Sequence, residues 1–485
     1  MMKSLNIKIG LIASIMVLFT ACETIDYEDT NVNPNGPTAA VTSQLLTNAM
    51  SFMAEYIMVD ETTILYMQHI TQGQYPGASR YNTLNESYDD WYVGPLTDFN
   101  RIIDLNSDPE TADDALSYGS NANQIAVAKI LRAYYLHYMT DKWGALPLSE
   151  AFQGIDNPQP AFDTQESVYN YMFAEIEEAV GMVEMAEPGP TGDYLFGGDM
   201  DTWVTFGTHV KMIMALRISD VAPGLAQTKF EETVATGRLI TDNSDNIEYT
   251  YGTDDESDSP WDDNFKTRED YILSRTMVEY LRENQDPRLF EYAEEARDSV
   301  SPVTNFPGGI DAGYVGAPNG QVNGNVPSYS FIRSEIIYTP DFPTPIFTAA
   351  QVDFSLAEAA GKGWNVGGGS AAQWYEAGVQ ASMEYWGVDA TGITDYIAAH
   401  PYTGIDDIAY EKWVALYLNG PEAWAEWRRL DAPYLEPSAF ASDPRIPVRM
   451  AYDPSIADNN AANYNAMIGF QGPDNNHTKL WWDVN

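Results

Sequence analysis

A chain of 485 residues with 44% apolar and 20% charged side chains carries enough apolar material for a large core, which excludes an intrinsically disordered protein. Its 71 acidic against 25 basic residues give a formal charge of −46, which works against nucleic acid and generic anionic membranes as partners. A polyanionic glycan would be repelled too, unless a local basic patch or a bridging cation intervened.

The elements begin with an export signal. Lys3 and Lys8 precede an apolar run from Ile9 to Phe19 that is too short to span a bilayer as a helix. Leu18-Phe19-Thr20-Ala21-Cys22 then resembles a bacterial lipoprotein cleavage site, and Cys22 is the only cysteine, so an internal disulfide is excluded and a lipid anchor is expected there. Three segments follow from this: a signal peptide at 1–21, a lipidated tether at 22–38 and a body at 39–485. The tether is acidic and its Asn33-Pro34-Asn35-Gly36-Pro37 favours turns over helix.

Gln72 to Val93 lacks a sustained period and reads as a loop. Gln124 to Met139 then carries Ile125, Ala128, Leu131, Tyr135 and Tyr138 at helical spacing, and Ser167 to Met185 repeats the pattern with Val168, Met172, Ile176, Val180 and Val183. Thr202 to Val221 presents Trp203, Phe206, Val210, Ile213 and Met214, with Gly198 and Asp199 as its start. Two long loops come next, Asp242 to Asn264 and Asp298 to Pro345, both rich in Gly, Pro, Asn and Asp. Helices resume at Gln351 to Ala360, Ala372 to Trp386 and Ile408 to Leu418. Small residues such as Ala126, Ala357 and Ala377 facing Tyr and Trp suit paired, tetratricopeptide-like helices, because close backbone approach needs small partners. The fold class read from these elements is mainly α, with long loops between the helical stretches.

Sugar recognition needs flat apolar faces for the ring and polar groups for its hydroxyls. The loops supply both, in Tyr75, Arg80, Tyr81, Asn82, Trp91, Trp261, Tyr314, Asn319 and Phe342, and these are expected to be exposed and to converge on one face. The acidic run from Asp254 to Asp263 could hold Ca2+ through carboxylate oxygens, although Ser259 and Pro260 stand where an EF-hand loop would turn on glycine. Arg428 and Arg429 are expected to satisfy buried helix ends or Glu422, and the helical tryptophans to be core.

No His-Glu-x-x-His, Gly-x-Ser-x-Gly or Gly-x-x-x-x-Gly-Lys run is present, and the five histidines are widely spaced, so no catalytic residue or resident metal is assigned.

A series of short signatures carries a family resemblance. They are Asn31 to Thr38, Ile130 to Tyr134, Thr140-Asp141-Lys142-Trp143-Gly144, Asp286-Pro287-Arg288-Leu289 and Tyr314 to Gly320, followed by Leu356-Ala357-Glu358, Trp374 to Val379 and Glu411-Lys412-Trp413. Asn419-Gly420, Glu422-Ala423-Trp424, Trp427-Arg428-Arg429, Ile446 to Arg449 and Lys479 to Asp483 complete the series. In this order they resemble the SusD/RagB nutrient-binding lipoproteins of the outer membrane. The resemblance implies tetratricopeptide-like helical repeats packed on an irregular, loop-rich ligand-binding half, in a non-catalytic, lipid-anchored cell-surface protein that captures an oligosaccharide and passes it to a SusC-like TonB-dependent transporter. A peptide ligand of the RagB type is the variant reading. A surface glycoside hydrolase is opposed by the absent motifs, and a purely structural surface protein by the aromatic loops.

Overall fold

The protein is described by a computed structural model that covers residues 40–298, 313–323 and 326–485. Cys22, the tether and the Asn31 to Thr38 signature lie outside the described residues. Thr42–Asn485 forms one compact unit.

The helices that build it are α1 (Thr42–Met53), α2 (Glu61–Tyr66), α3 (Thr97–Ser107), α4 (Asn121–Trp143), α5 (Gln165–Met182), α6 (Met200–Arg217), α7 (Pro223–Ala235), α8 (Pro260–Phe265), α9 (Ala349–Gly361), α10 (Ala371–Tyr385), α11 (Ile405–Ala415) and α12 (Gly420–Leu430). Each helix foreseen from apolar spacing is present, displaced by at most a few residues at its ends. Local chemistry sets those ends: the Ser120 hydroxyl accepts the Asn123 N–H at the start of α4, and Asp199 accepts the Asp201 N–H at the start of α6. Gly144, at φ 94°, stops α4.

Consecutive helices pack in pairs, α4 on α5, α6 on α7 and α9 on α10. Small residues permit this. A Cβ at Gly378 would lie 2.7 Å from the Phe354 ring, and one at Gly420 would lie 2.4 Å from the Ile64 backbone nitrogen, where α12 meets α2. One continuous core runs through the pairs and contains Trp143, Trp203, Trp413, Trp424 and Trp482.

Three two-stranded ladders tie the irregular segments to this body. β1 (Ile70–Gln72) pairs antiparallel with β4 (Tyr271–Leu273), β2 (Asn85–Glu86) pairs parallel with β6 (Ala451–Tyr452), and β3 (Ile247–Tyr249) pairs antiparallel with β5 (Thr344–Phe347).

Buried ion pairs join helices that are far apart in sequence. Arg429 makes two parallel bonds of 2.6 Å to Glu358 and a third of 2.6 Å to Glu426, while Lys412 lies 2.8 Å from Glu426. Arg217 reaches Glu422 at 2.7 Å and Asp141 at 3.1 Å. Arg288 is shared between Asp286 and Glu411, each at 2.6 Å. Arg428 instead donates to the Trp424, Asp141 and Val448 carbonyls, of which Asp141 lies in the last turn of α4. Of the two arginines, then, only Arg428 meets a helix end; Arg429 pairs with Glu358 and Glu426, and Glu422 belongs to Arg217. The signatures around Glu358, Glu411-Lys412, Glu422 and Arg428-Arg429 are thus parts of one internal scaffold.

Candidate functional site

A large open groove of about 1360 Å³ lies among the described residues. One wall comes from α1 and the turn after it, through Phe52, Glu55, Tyr56, Asp60 and Glu61; a second comes from Glu86, Asp90 and Val93; a third comes from Gly252 to Asn264. Two of the loops foreseen in the sequence, 72–93 and 242–264, therefore do meet, on each side of α1.

The chain reaches this shape through two π-helical turns, Ala54–Met58 and Tyr92–Leu96, the second enclosing Pro95 and a non-helical Gly94. Such turns re-aim side chains within a helix and recur at functional sites. Here they place Phe52 and Tyr56 as a stacked pair, centroids 4.1 Å apart and rings 12° from parallel. Both rings are half-buried. Trp91 stands behind them, edge-on to Phe52 at 5.0 Å. Across the groove Tyr194 is exposed and shares a 2.6 Å hydroxyl–hydroxyl bond with Tyr249.

Electrostatically the groove is one-sided. Carboxylates come from Glu55, Asp60, Glu61, Glu86, Asp90, Asp255, Glu256, Asp258 and Asp263, and Lys142 is the one basic side chain among the lining residues. Lys142 is already held by Asp60 at 2.9 Å and Glu86 at 2.5 Å. Burial pushes Glu61 above the ordinary carboxylate range, with the Asn264 amide opposing and the Asp60 charge adding to the rise. Glu86 is raised by burial as well, against the pull of Lys142.

Within the acidic run considered for Ca2+, an internal cation gathers three of the carboxylates. Lys266 Nζ lies 2.9 Å from Asp255, 2.5 Å from Asp258 and 2.8 Å from Asp263. Ser259 and Pro260 start α8, the Ser259 side chain accepting the Trp261 N–H, so the backbone turns into a helix where a calcium loop would continue.

The nine foreseen ligand residues separate into two sets. Trp91, Trp261 and Tyr314 are 3%, 2% and 8% exposed, which corrects the expectation that they are open platforms. Trp91 lies within a helical run that continues into α3, and it stacks on Tyr138 at 5.2 Å; Trp261 sits in α8 against Tyr271; Tyr314 packs edge-on to Phe290. Gly94, Pro95 and Pro260 read as loop signals, but the chain absorbs them inside or at the start of helices, and the aromatics beside them face the core. Tyr81 is also buried, its hydroxyl accepting the Ser438 N–H, and Phe342 is half-buried against the core.

The second set does gather. Arg80 Nε donates to the Gly320 carbonyl at 2.6 Å, the Ser438 hydroxyl donates to the Asn319 carbonyl at 2.9 Å, and the Asn323 N–H donates to Gly73 at 2.9 Å, so segments 73–82 and 317–323 form one surface. Tyr75 is 62% exposed on it, beside the Arg268 guanidinium at 5.3 Å. Asn82 is exposed and, with Tyr81 and Leu84, lines a neighbouring cleft of about 1070 Å³.

Sequence reasoning missed Phe52, Tyr56 and Tyr194. An aromatic i, i+4 pair flanked by Glu55, Asp60 and Glu61 was the available signal.

With this geometry in place, the comparisons define the class. The family model described as "Starch-binding associating with outer membrane" matches residues 34–453, and the chain belongs to this SusD-like family. Its members are carbohydrate-binding proteins rather than enzymes. Among solved structures, a chitin-binding protein is similar at 26% identity and TM-score 0.78, covering 92% of this chain and 100% of that one. A SusD homologue from Bacteroides fragilis aligns at 20% identity and TM-score 0.76, covering 91% and 100%. A chitin-binding SusD homologue from Flavobacterium johnsoniae aligns at 23% and 0.71, covering 91% and 96%. A comparison with curated protein sequences finds no match. No helix among the described residues is long and apolar enough to cross a membrane.

Proposed function

We propose that this protein is a cell-surface lipoprotein that captures oligosaccharides in the groove between α1, Asp90 and the 252–264 segment, and hands them to a SusC-like TonB-dependent transporter. The observation that carries the reading is an open groove floored by the stacked Phe52–Tyr56 pair in a chain of the SusD-like family. A flat aromatic pair offers its face to the C–H side of a sugar ring, and the carboxylates above it accept hydroxyl hydrogens. The chitin-binding relative makes chito-oligosaccharides the first ligands to try. Tyr75, Arg80, Asn82 and Asn319 form a flanking surface that would meet a longer chain.

Tyr56→Ala is expected to weaken oligosaccharide binding by about 1–3 kcal/mol, roughly five- to 150-fold, the scale of an anchoring aromatic. Isothermal titration measures this, and chromatography of the same mixtures should return the sugar uncut. Unchanged affinity in both Phe52→Ala and Tyr56→Ala, with normal folding, would move the site away from the groove.

Cys22 is the proposed lipid attachment point, separated from the body by the acidic tether. Cys22→Ser is expected to leave the protein folded but free of the outer membrane. Membrane fractionation of cells lacking the transporter tests this, and retention of the variant in the membrane would overturn the anchor.

A further inference from the structure

We infer that the groove is built for amine-bearing oligosaccharides, glucosamine-type chains with free ammonium groups, in preference to neutral or uronate-containing ones. This rests on the glycan reading above and specifies its ligand class.

Three observations on the groove carry the inference. Its aromatic floor calls for a ligand with flat apolar faces. Its walls are almost purely hydrogen-bond acceptors, because most of the side-chain donors along them are engaged: Lys142 with Asp60 and Glu86, Asn264 with Glu61, and Asn48 with Asp98. A ligand that fits must therefore present hydrogen-bond donors to the walls. The hydroxyls and ammonium groups of an amino sugar do so, the ammonium groups as donors only.

The third observation is charge. Lys142 and Lys266 neutralise only part of the carboxylate set, and Glu55, Asp90 and Glu256 make no ion pair among the described residues. These three stand on the three walls, so a chain lying along the floor passes all of them. Burial first, with the Asp60 charge adding to it, raises Glu61 and Glu86, and a ligand cation beside them would favour their ionised forms. A uronate would add to the repulsion, and a neutral sugar would leave it unrelieved.

The test compares four probes on the full-length mature protein by isothermal titration at neutral pH: a glucosamine oligomer, its N-acetylated counterpart, a maltooligosaccharide and an oligolysine of similar length. Two or three surface ion pairs correspond to about tenfold, so the glucosamine oligomer is expected to bind about tenfold tighter than the N-acetylated one. That advantage should disappear at high salt and in the triple variant Glu55→Gln, Asp90→Asn, Glu256→Gln. Thermal unfolding and an unchanged circular-dichroism spectrum confirm that the variant is folded. Equal affinity for the amine and the N-acetyl form would overturn the inference while leaving glycan capture standing. Oligolysine binding as tight as the glucosamine oligomer would overturn the sugar assignment. Failure of all three sugars to bind would overturn both readings.

Discussion

Arg429→Ala is expected to lower the unfolding free energy by about 3–5 kcal/mol, the range for removing one partner from a buried ion pair. The guanidinium is fully buried and makes three 2.6 Å contacts, two to Glu358 and one to Glu426. Truncation would leave both carboxylates inside the core with weaker compensation, from Lys412 at 3.5 Å from Glu358 and 2.8 Å from Glu426, Lys362 at 3.7 Å from Glu358 and Arg217 at 3.1 Å from Glu426. The measurement is the urea midpoint, with Arg445→Ala as the exposed control, for which a change within about 0.5 kcal/mol is expected. Against the pull of burial, Arg429 and Lys412 hold the Glu358 carboxyl below its ordinary value of 4.5. That contribution is complete above 4.5 and is lost as pH falls toward the depressed folded value, so the gap between the two proteins should narrow in acid. A cost under 1 kcal/mol at neutral pH would show that the cluster is replaceable.

Asp353→Asn is expected to do the opposite and stabilise. Asp353 lies in α9, 1% exposed, and its Oδ1 has no hydrogen-bond partner among the described residues. Burial pushes its carboxyl from 3.8 up to about 8. Between these values the unfolded chain ionises and the folded chain does not, so stability is undiminished below 3.8 and falls with rising pH until the folded group titrates near 8. The full displacement corresponds to a penalty on the order of 5 kcal/mol, which an asparagine of the same shape removes. Chemical denaturation across this pH range should show the two proteins equal near pH 4 and the variant increasingly more stable toward pH 8. Parallel profiles would mean that Asp353 is ionised in the folded protein.

The two residues illustrate what a linear reading could and could not reach. Glu358 and Arg429 are recognisable in the sequence as signature residues, yet Arg429 was expected to meet a helix end or Glu422. One of its two partners, Glu358, lies 71 residues away and becomes visible only when α9 and α12 pack. Asp353, five residues before Glu358 on the same helix, has the same chemistry in the sequence and the opposite fate in the fold.

The helices were legible because their signal is local: apolar side chains at helical spacing, a capping Ser or Asp, and a glycine beyond the end act within a few residues. The family signatures were legible for the same reason, as short runs in order. Whether an aromatic faces solvent or core is not local. Trp91, Trp261 and Tyr314 sit beside Gly and Pro that announce loops, but their exposure depends on what packs over them, and Tyr138, Tyr271 and Phe290 come from distant segments. Phe52 and Tyr56, unremarked along the chain, became the groove floor because a π-turn swings both rings to one side and because 72–93 and 252–264 close in from either flank. The sequence by itself therefore determined the helices, the acidic charge and the family, each written in neighbouring residues. The tertiary structure alone decided which aromatics are platforms, which carboxylates are paired and which line the groove, because burial and pairing depend on contacts between residues that the chain order keeps apart.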